Sequence, residues 1–454
     1  MKSLYKKFFN IVIILELGFT VTTSFSQVSS WHLTGGSEGY FPADIDFYRG
    51  DPDTVYTIGL FEIDQYHDTF KLMRSTNQGA QWDSISYLGT DIGAIRVAPN
   101  DSKVLFASSI SINEESNIVS KSTDGGMSWK VIFSGAIYPA PVIQFDPVNP
   151  QTVYAAEGPG YLWRSTDLGV TWSLLDTLPL GYLTDMTISN AADSVLYAGA
   201  IGAVFQSTDW GNSWKRLDLG VTINDGVFLA ASPNDPNVVY AGLYSTGSPP
   251  GGIYKSIDGG KHWSAKNNGL DSTCWLIGAM KINPLNSQEL FLGIGTPTIP
   301  HEMLYHSTDG GESWNPYGNG LPKQGSVDCI SIDPLNKKMC VGVWSVIDSS
   351  GIYETDLVTS VTERLLPTGM ILHQNYPNPF NPSTVIRYEV SRPVQVSISV
   401  LNVLGQRIAT LTDEEKYPGS YQLRWDGKNY PSGIFFYQMK TNEFIQTRKM
   451  ILLK

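Results

Sequence analysis

The sequence predicts an all-β protein, a seven-bladed β-propeller followed by a small immunoglobulin-like β-sandwich. Three observations carry that expectation. First, an eight-residue phrase, Ser-x-Asp-x-Gly-x-x-Trp, recurs six times, at 75–82, 122–129, 165–172, 207–214, 256–263 and 307–314, with Asn77 replacing the acid in the first copy. Its serines lie 47, 43, 42, 49 and 51 residues apart, and a period in the forties marks one supersecondary unit used repeatedly. Second, each unit holds about four short β-branched and aromatic runs bounded by Gly, Pro, Asn or Asp, the make-up of a propeller blade, with no sustained helical period. Third, the pattern stops at Asp356, and a proline-rich phrase then opens a differently spaced set of alternating strands.

Residues 1–26 read as a secretory signal. Lys2, Lys6 and Lys7 precede an apolar run over 8–21, and Ser24 and Ser26 supply small residues before Gln27. That run, interrupted by Glu16, is too short to favour a spanning helix. No later segment qualifies, so no integral membrane segment is expected in the mature chain. The formal net charge is −12, although residues 375–454 carry ten basic against six acidic side chains. An acidic body repels phosphate backbones, which argues against nucleic-acid binding. Cys274, Cys329 and Cys340 show no Cys-x-x-Cys spacing and read as buried free thiols.

The blades follow over residues 27–356. A second phrase, an apolar run ending in a turn proline, precedes the boxes at Pro52, Pro99, Pro147, Pro233 and Pro284, and weakly at Ser189-Asn190, and recurs at Pro334 after the last box. That makes seven phrases against six boxes. The last unit offers strand-like runs at 327–332, 339–343 and 351–355 and then ends. Ser30-Trp31-His32-Leu33 has the wording of a fourth strand such as 213–217. Trp31's strand is therefore expected to complete blade seven and tie the ring's ends together, which protects sheet edges. The box acids Asp124, Asp167, Asp209, Asp258 and Asp309 suit a structural role. Each can accept hydrogen bonds from a tight turn whose Gly takes a positive φ and whose Trp packs between sheets. The boxes resemble the Asp-box repeats of sialidases, sortilin-type ectodomains and xyloglucan hydrolases. The resemblance implies a propeller whose boxes lie on the face opposite the ligand site.

A linker over 357–374 leads to residues 375–454. Three prolines within 377–382, with Pro367 upstream, hold the chain extended, and strand-like runs at 385–390, 394–400, 407–411, 421–425, 434–439 and 447–453 predict the sandwich. This segment resembles the type A C-terminal sorting domain of the type IX secretion system. The matching phrases are Asn-Tyr-Pro-Asn-Pro-Phe-Asn-Pro at 375–382, Val403-Leu404-Gly405-Gln406, Trp425-Asp426-Gly427, 432–437 and the closing 449–454. The resemblance implies the type IX machinery as partner, with Sec export and passage to the outer surface of a Gram-negative cell or beyond it.

No catalytic template is complete. His301 to His306 has one residue too many for a zinc-protease phrase and lies on a predicted strand. The Gly-x-Ser-x-Gly at 35–39 has no helix after it. Metal-ligand spacings, phosphate loops and dinucleotide fingerprints are lacking, so neither metal nor cofactor is expected. The arginine triad of sialidases cannot be assembled from Arg49, Arg96 and Arg216. A glycosidase needs only two suitably spaced acids. Asp44, Asp91 and Asp225 lie eight residues before their turn prolines, and Asp46 and Asp328 six before. Even offsets place them on one side of the inner strands, an expected acidic collar at the central channel. Trp275 and Trp344 are candidate sugar platforms outside the boxes. Connections between second and third strands read as long in blades one, two, five and six, giving one irregular, recognition-prone face. The expected function is noncatalytic binding of a glycan or protein at or beyond the cell surface. The alternative is a polysaccharide-active hydrolase using paired Asp residues on the loop-rich face.

Overall fold

The structure is a computed structural model. It describes residues 30–357 and 370–453, apart from 49–50, 65–66, 88–90, 112–115, 136–141, 178–182, 190–194, 224–225, 245–250, 272–275, 296–300, 334–337, 346–348 and a few isolated positions. Among the described residues seven antiparallel four-stranded sheets succeed one another along the chain. Their inner strands are Tyr40–Phe47, Asp91–Ala98, Val142–Phe145, Leu183–Ile188, Val227–Ala231, Ile277–Asn283 and Gly325–Asp333. Each packs against the next, and the seventh against the first, so the ring is closed. The seventh sheet runs His32–Leu33, Gly351–Asp356, Lys338–Ser345, Gly325–Asp333. His32 faces Glu354 and Leu33 faces Tyr353. Trp31 is buried in the blade-seven core, and its Nε1–H donates to the Tyr317 carbonyl at 2.8 Å.

The box turns share one hydrogen-bond pattern. In the second copy Ser122 Oγ donates to Asp124 Oδ1 at 2.8 Å and accepts from Gly126 N–H at 2.8 Å. Asp124 Oδ1 also accepts from Ser128 N–H, and Oδ2 from Ser128 Oγ. Thr171, Ser213 and Ser313 repeat that hydroxyl contact to Asp167, Asp209 and Asp309, and His262 Nδ1 takes the same place on Asp258 at 2.6 Å. The carboxylate thus ties both arms of the hairpin. Gly126 holds φ 90°, and a Cβ there would lie 2.2 Å from Leu72 of the preceding blade, so only Gly fits. In three copies the residue before the box serine latches the next turn: Lys121 Nζ donates to the Leu168 carbonyl at 2.6 Å, Arg164 Nη1 to that of Trp210 at 3.1 Å and Lys255 Nζ to that of Gly310 at 2.7 Å.

One expectation about the blades changes. The connections read as long in blades one and two are continued strands, with Glu62 facing Asp68 and Ser111 facing Ser116. The backbone pairing continues through polar residues there. Those of blades five and six fall largely on 245–250 and 296–300, outside the described residues. Cys329 and Cys340 are buried free thiols, and Cys274 lies outside the described residues.

The C-terminal unit sets a three-stranded sheet (Ile371–Leu372, Ser383–Val390, Gly419–Asp426) and a four-stranded one (Arg407–Lys416, Val394–Leu401, Gly433–Lys440, Ile445–Leu452) around one core. Ile371–Leu372 pairs with Glu389 and Tyr388, and Leu372 is fully buried. The packed unit therefore begins upstream of residue 375, in the stretch expected to be linker.

Candidate channel site

Inner strands pair on one edge only, so their other edge turns unpaired N–H groups toward the channel. Leaving such donors unmet inside a protein is costly, and the preceding blade meets several of them. Asp44 Oδ2 accepts from Ile95 N–H at 3.0 Å, Asp46 Oδ2 from Val97 N–H at 2.8 Å, and Asp185 Oδ2 from Leu229 N–H at 2.8 Å. Thr184 Oγ1 accepts from Val227 N–H at 3.0 Å. Much of the acidic collar is thus a seam that joins one blade to the next.

A bulge in five inner strands sets which side chains do this. Register shifts occur between Pro42 and Asp44, Ile92 and Ala94, Leu183 and Asp185, Ile277 and Ala279, and Val327 and Cys329. Asp44, Ala94 and Asp185 follow their bulges and stand level. Asp91, opposite Ile110, lies nearer the channel mouth. Equal offset from the turn proline therefore does not mean equal depth. Blade one turns through a loop from Tyr48 to Thr54, whereas blade two turns tightly between paired Ala98 and Asp101. Asp225 and Trp275 lie outside the described residues.

Charges concentrate around the channel. Arg96 forms an ion pair with Asp44, both side chains largely buried. Burial works against the Arg96 charge, but Asp44 and Asp46 beside it, with Asp185, more than offset this and hold its pKa above the usual value. Asp185 was not among the sequence candidates, because its blade has no turn proline to count from. Burial pushes its pKa up to about 6, against the opposing pull of Leu229 and Met186 N–H groups, Lys281 and Arg96.

Asp328 is different. It occupies the bulge of the seventh inner strand, keeps solvent exposure, and accepts a 2.8 Å hydrogen bond from Ser326 Oγ. The protein packed around it still desolvates the carboxylate, raising its pKa against that hydrogen bond. Surface exposure and desolvation coexist here because the accessible surface belongs to a walled channel. Ser326 in turn faces Trp344 across the sheet, so the half-buried Trp344 ring belongs to the same end of the blade. Between the two acids sits Cys329, whose buried thiol is raised by desolvation and further by the charges of Asp44 and Asp328, and whose Sγ lies 3.8 Å from the Pro42 carbonyl. Asp328 and Trp344 thus belong to the edge of blade seven next to blade one, whereas the Asp44 carboxylate, one blade on, is held by Ile95 and Arg96 of blade two.

Residues 374–453 match the secretion system C-terminal sorting domain family. The chain is exported through type IX secretion to the cell surface or beyond. The propeller is similar to a xyloglucanase of Acetivibrio thermocellus, 26% identical over 334 residues, covering 62% of this chain and 38% of that protein. It is also similar to a probable oligoxyloglucan-reducing end-specific xyloglucanase of Neosartorya fischeri, 30% identical over 154 residues, covering 31% of this chain and 18% of the other. The chain thus spans well under half the length of these curated relatives. Among solved structures, YCF48 from Cyanidioschyzon merolae shares the fold at TM-score 0.51 and 13% identity, covering 73% of this chain and all of that one. These relatives overturn the expectation of a noncatalytic binding propeller, since the proteins that the blades resemble in sequence are named hydrolases. Two separated acids leave no contiguous motif, so motif reading could not detect such an activity.

Proposed function

We propose that the protein is a secreted glycoside hydrolase acting on xyloglucan or a related β-glucan. The observation that carries the reading is the similarity to xyloglucanases over most of the propeller. The repeated boxes support it: they resemble those of Asp-box propellers, in which the ligand face lies opposite the boxes. Asp328 serves as proton donor. Desolvation keeps its proton on at higher pH than an ordinary carboxyl would, and its exposure lets a glycosidic oxygen approach. Asp44 is the second carboxylate, oriented by Arg96 and the Ile95 amide, either activating water or attacking the sugar carbon. Trp344 offers an apolar platform for a pyranose ring.

The test is release of reducing ends from xyloglucan, mixed-linkage glucan and cellulose. Turnover is expected on at least one, with kcat lowered roughly 10²–10⁴-fold by Asp328→Asn and binding retained. Wild-type protein that turns over none of them overturns the proposal. An Asp328→Asn variant of undiminished rate removes Asp328 from it.

A further inference from the structure

The sorting unit carries an apolar patch that its own packing does not use. The turn joining Val394–Leu401 to Arg407–Lys416 presents Val403 and Leu404, 66% and 77% exposed. It is not a loose loop. Asn402 Oδ1 accepts from Leu404 N–H at 3.0 Å and Gln406 N–H at 2.9 Å, Asn402 Nδ2 donates to Gln406 Oε1 at 2.8 Å, and Gly405 takes φ 76°. The register places two more exposed aliphatics at the same end of the sheet. Leu401 faces Phe436, so Ile434 lies just beyond it, and Leu453 follows Leu452, which faces Gly433. Ile434 and Leu453 are 44% and 52% exposed. With strands about 4.8 Å apart, the four side chains span one sheet end, beside the exposed Arg407 that faces Leu401.

An exposed cluster of this kind, preorganised by its own hydrogen bonds, marks an interaction site. We propose that this sheet end is the surface by which the sorting domain enters an apolar cleft of the type IX secretion machinery, with Val403 and Leu404 as the leading anchors. The occupant follows from the match of residues 374–453 to a sorting family: the machinery must read this unit, and the patch is built from the unit's hairpin tip and last strand. The inference does not depend on the hydrolase reading.

The experiment follows the full-length chain in a type IX-competent cell, comparing wild type, Val403→Asp/Leu404→Asp, Ile445→Asp, and a deletion of 374–454. Ile445 faces Lys440 at the opposite sheet end and is equally exposed, so it reports non-specific damage. The double variant is expected to lose external protein by on the order of tenfold or more, the factor that about 1.4 kcal/mol of lost binding produces. It should accumulate as protease-resistant, folded protein inside the outer membrane, while Ile445→Asp exports normally. Normal export of the double variant, or equal retention of Ile445→Asp, overturns the proposal. So does a wild-type dimer that the double variant loses, which would assign the patch to a second copy. Export of the deletion variant overturns the sorting assignment itself, an outcome distinct from failure of the patch alone.

Discussion

Asp124 and Asp167 have pKa values pulled down to about 2, chiefly by the hydroxyl and amide of the residue four positions on, Ser128 and Thr171. Asp209, Asp258 and Asp309 are lowered too, although burial opposes the shift most strongly at Asp309. A carboxyl whose folded pKa is depressed adds stability above its unfolded pKa and loses it as pH falls through the folded value. The contribution of these box acids should therefore be level above about pH 5 and be lost between about pH 4 and 2, while Asp185, raised to about 6, acts in the opposite sense and costs stability as pH rises from about 4 to 6. Ser128→Ala should raise the Asp124 pKa in an NMR titration and move the acid transition upward; an unchanged titration would show that the hydroxyl is idle. That these acids are structural was legible in the sequence, because every part of the box suits one hairpin. The partner at the seventh position of the box was less so, since Ser, Thr and His are unrelated in type and share only a donor. Asp185 went unseen, and Asp91 was put level with Asp44, because depth along an inner strand depends on bulges and turn lengths that leave no mark in residue spacing.

At the scale of elements, the strands of each blade were readable as β-branched and aromatic runs, and so was the tail's switch to a different spacing. Hairpin lengths were not, because polar residues at 62–68 and 111–117 look like loop while the backbone pairing continues. A two-residue strand has the largest predicted effect. His32–Leu33 supplies only two paired residues, yet it brings the Trp31 ring into contact with Tyr317 at a centroid distance of 6.2 Å and buries it. Trp31→Ala should cost roughly 3–5 kcal/mol, measured by denaturant unfolding. A loss below about 1 kcal/mol, the size of an ordinary surface substitution or less, would mean that the strand is not what holds blade seven to its neighbours.

For the whole molecule, the ring and the sandwich have separate hydrophobic cores, the latter built entirely from residues after 369. Calorimetry should accordingly show two transitions, with Trp31→Ala moving only the propeller's and Leu372→Ala only the sandwich's. A single transition shifted equally by both variants would contradict independent folding. The number of blades was legible because six boxes and seven turn phrases disagree by one, and a closed ring reconciles them. The proposed activity was not legible at this scale, for one fold serves many functions and the two acids proposed for it lie on different blades.

The partner of the first strand, Gly351–Asp356, is among the last propeller residues to be made. A chain threading into the periplasm from its N-terminus must therefore keep Trp31 waiting until some 320 residues have followed, as the separation of His32 from Glu354 records. The export address lies further downstream still. A product cut short before Gly351 would lack both the partner of the first strand and the sorting unit at 374–453.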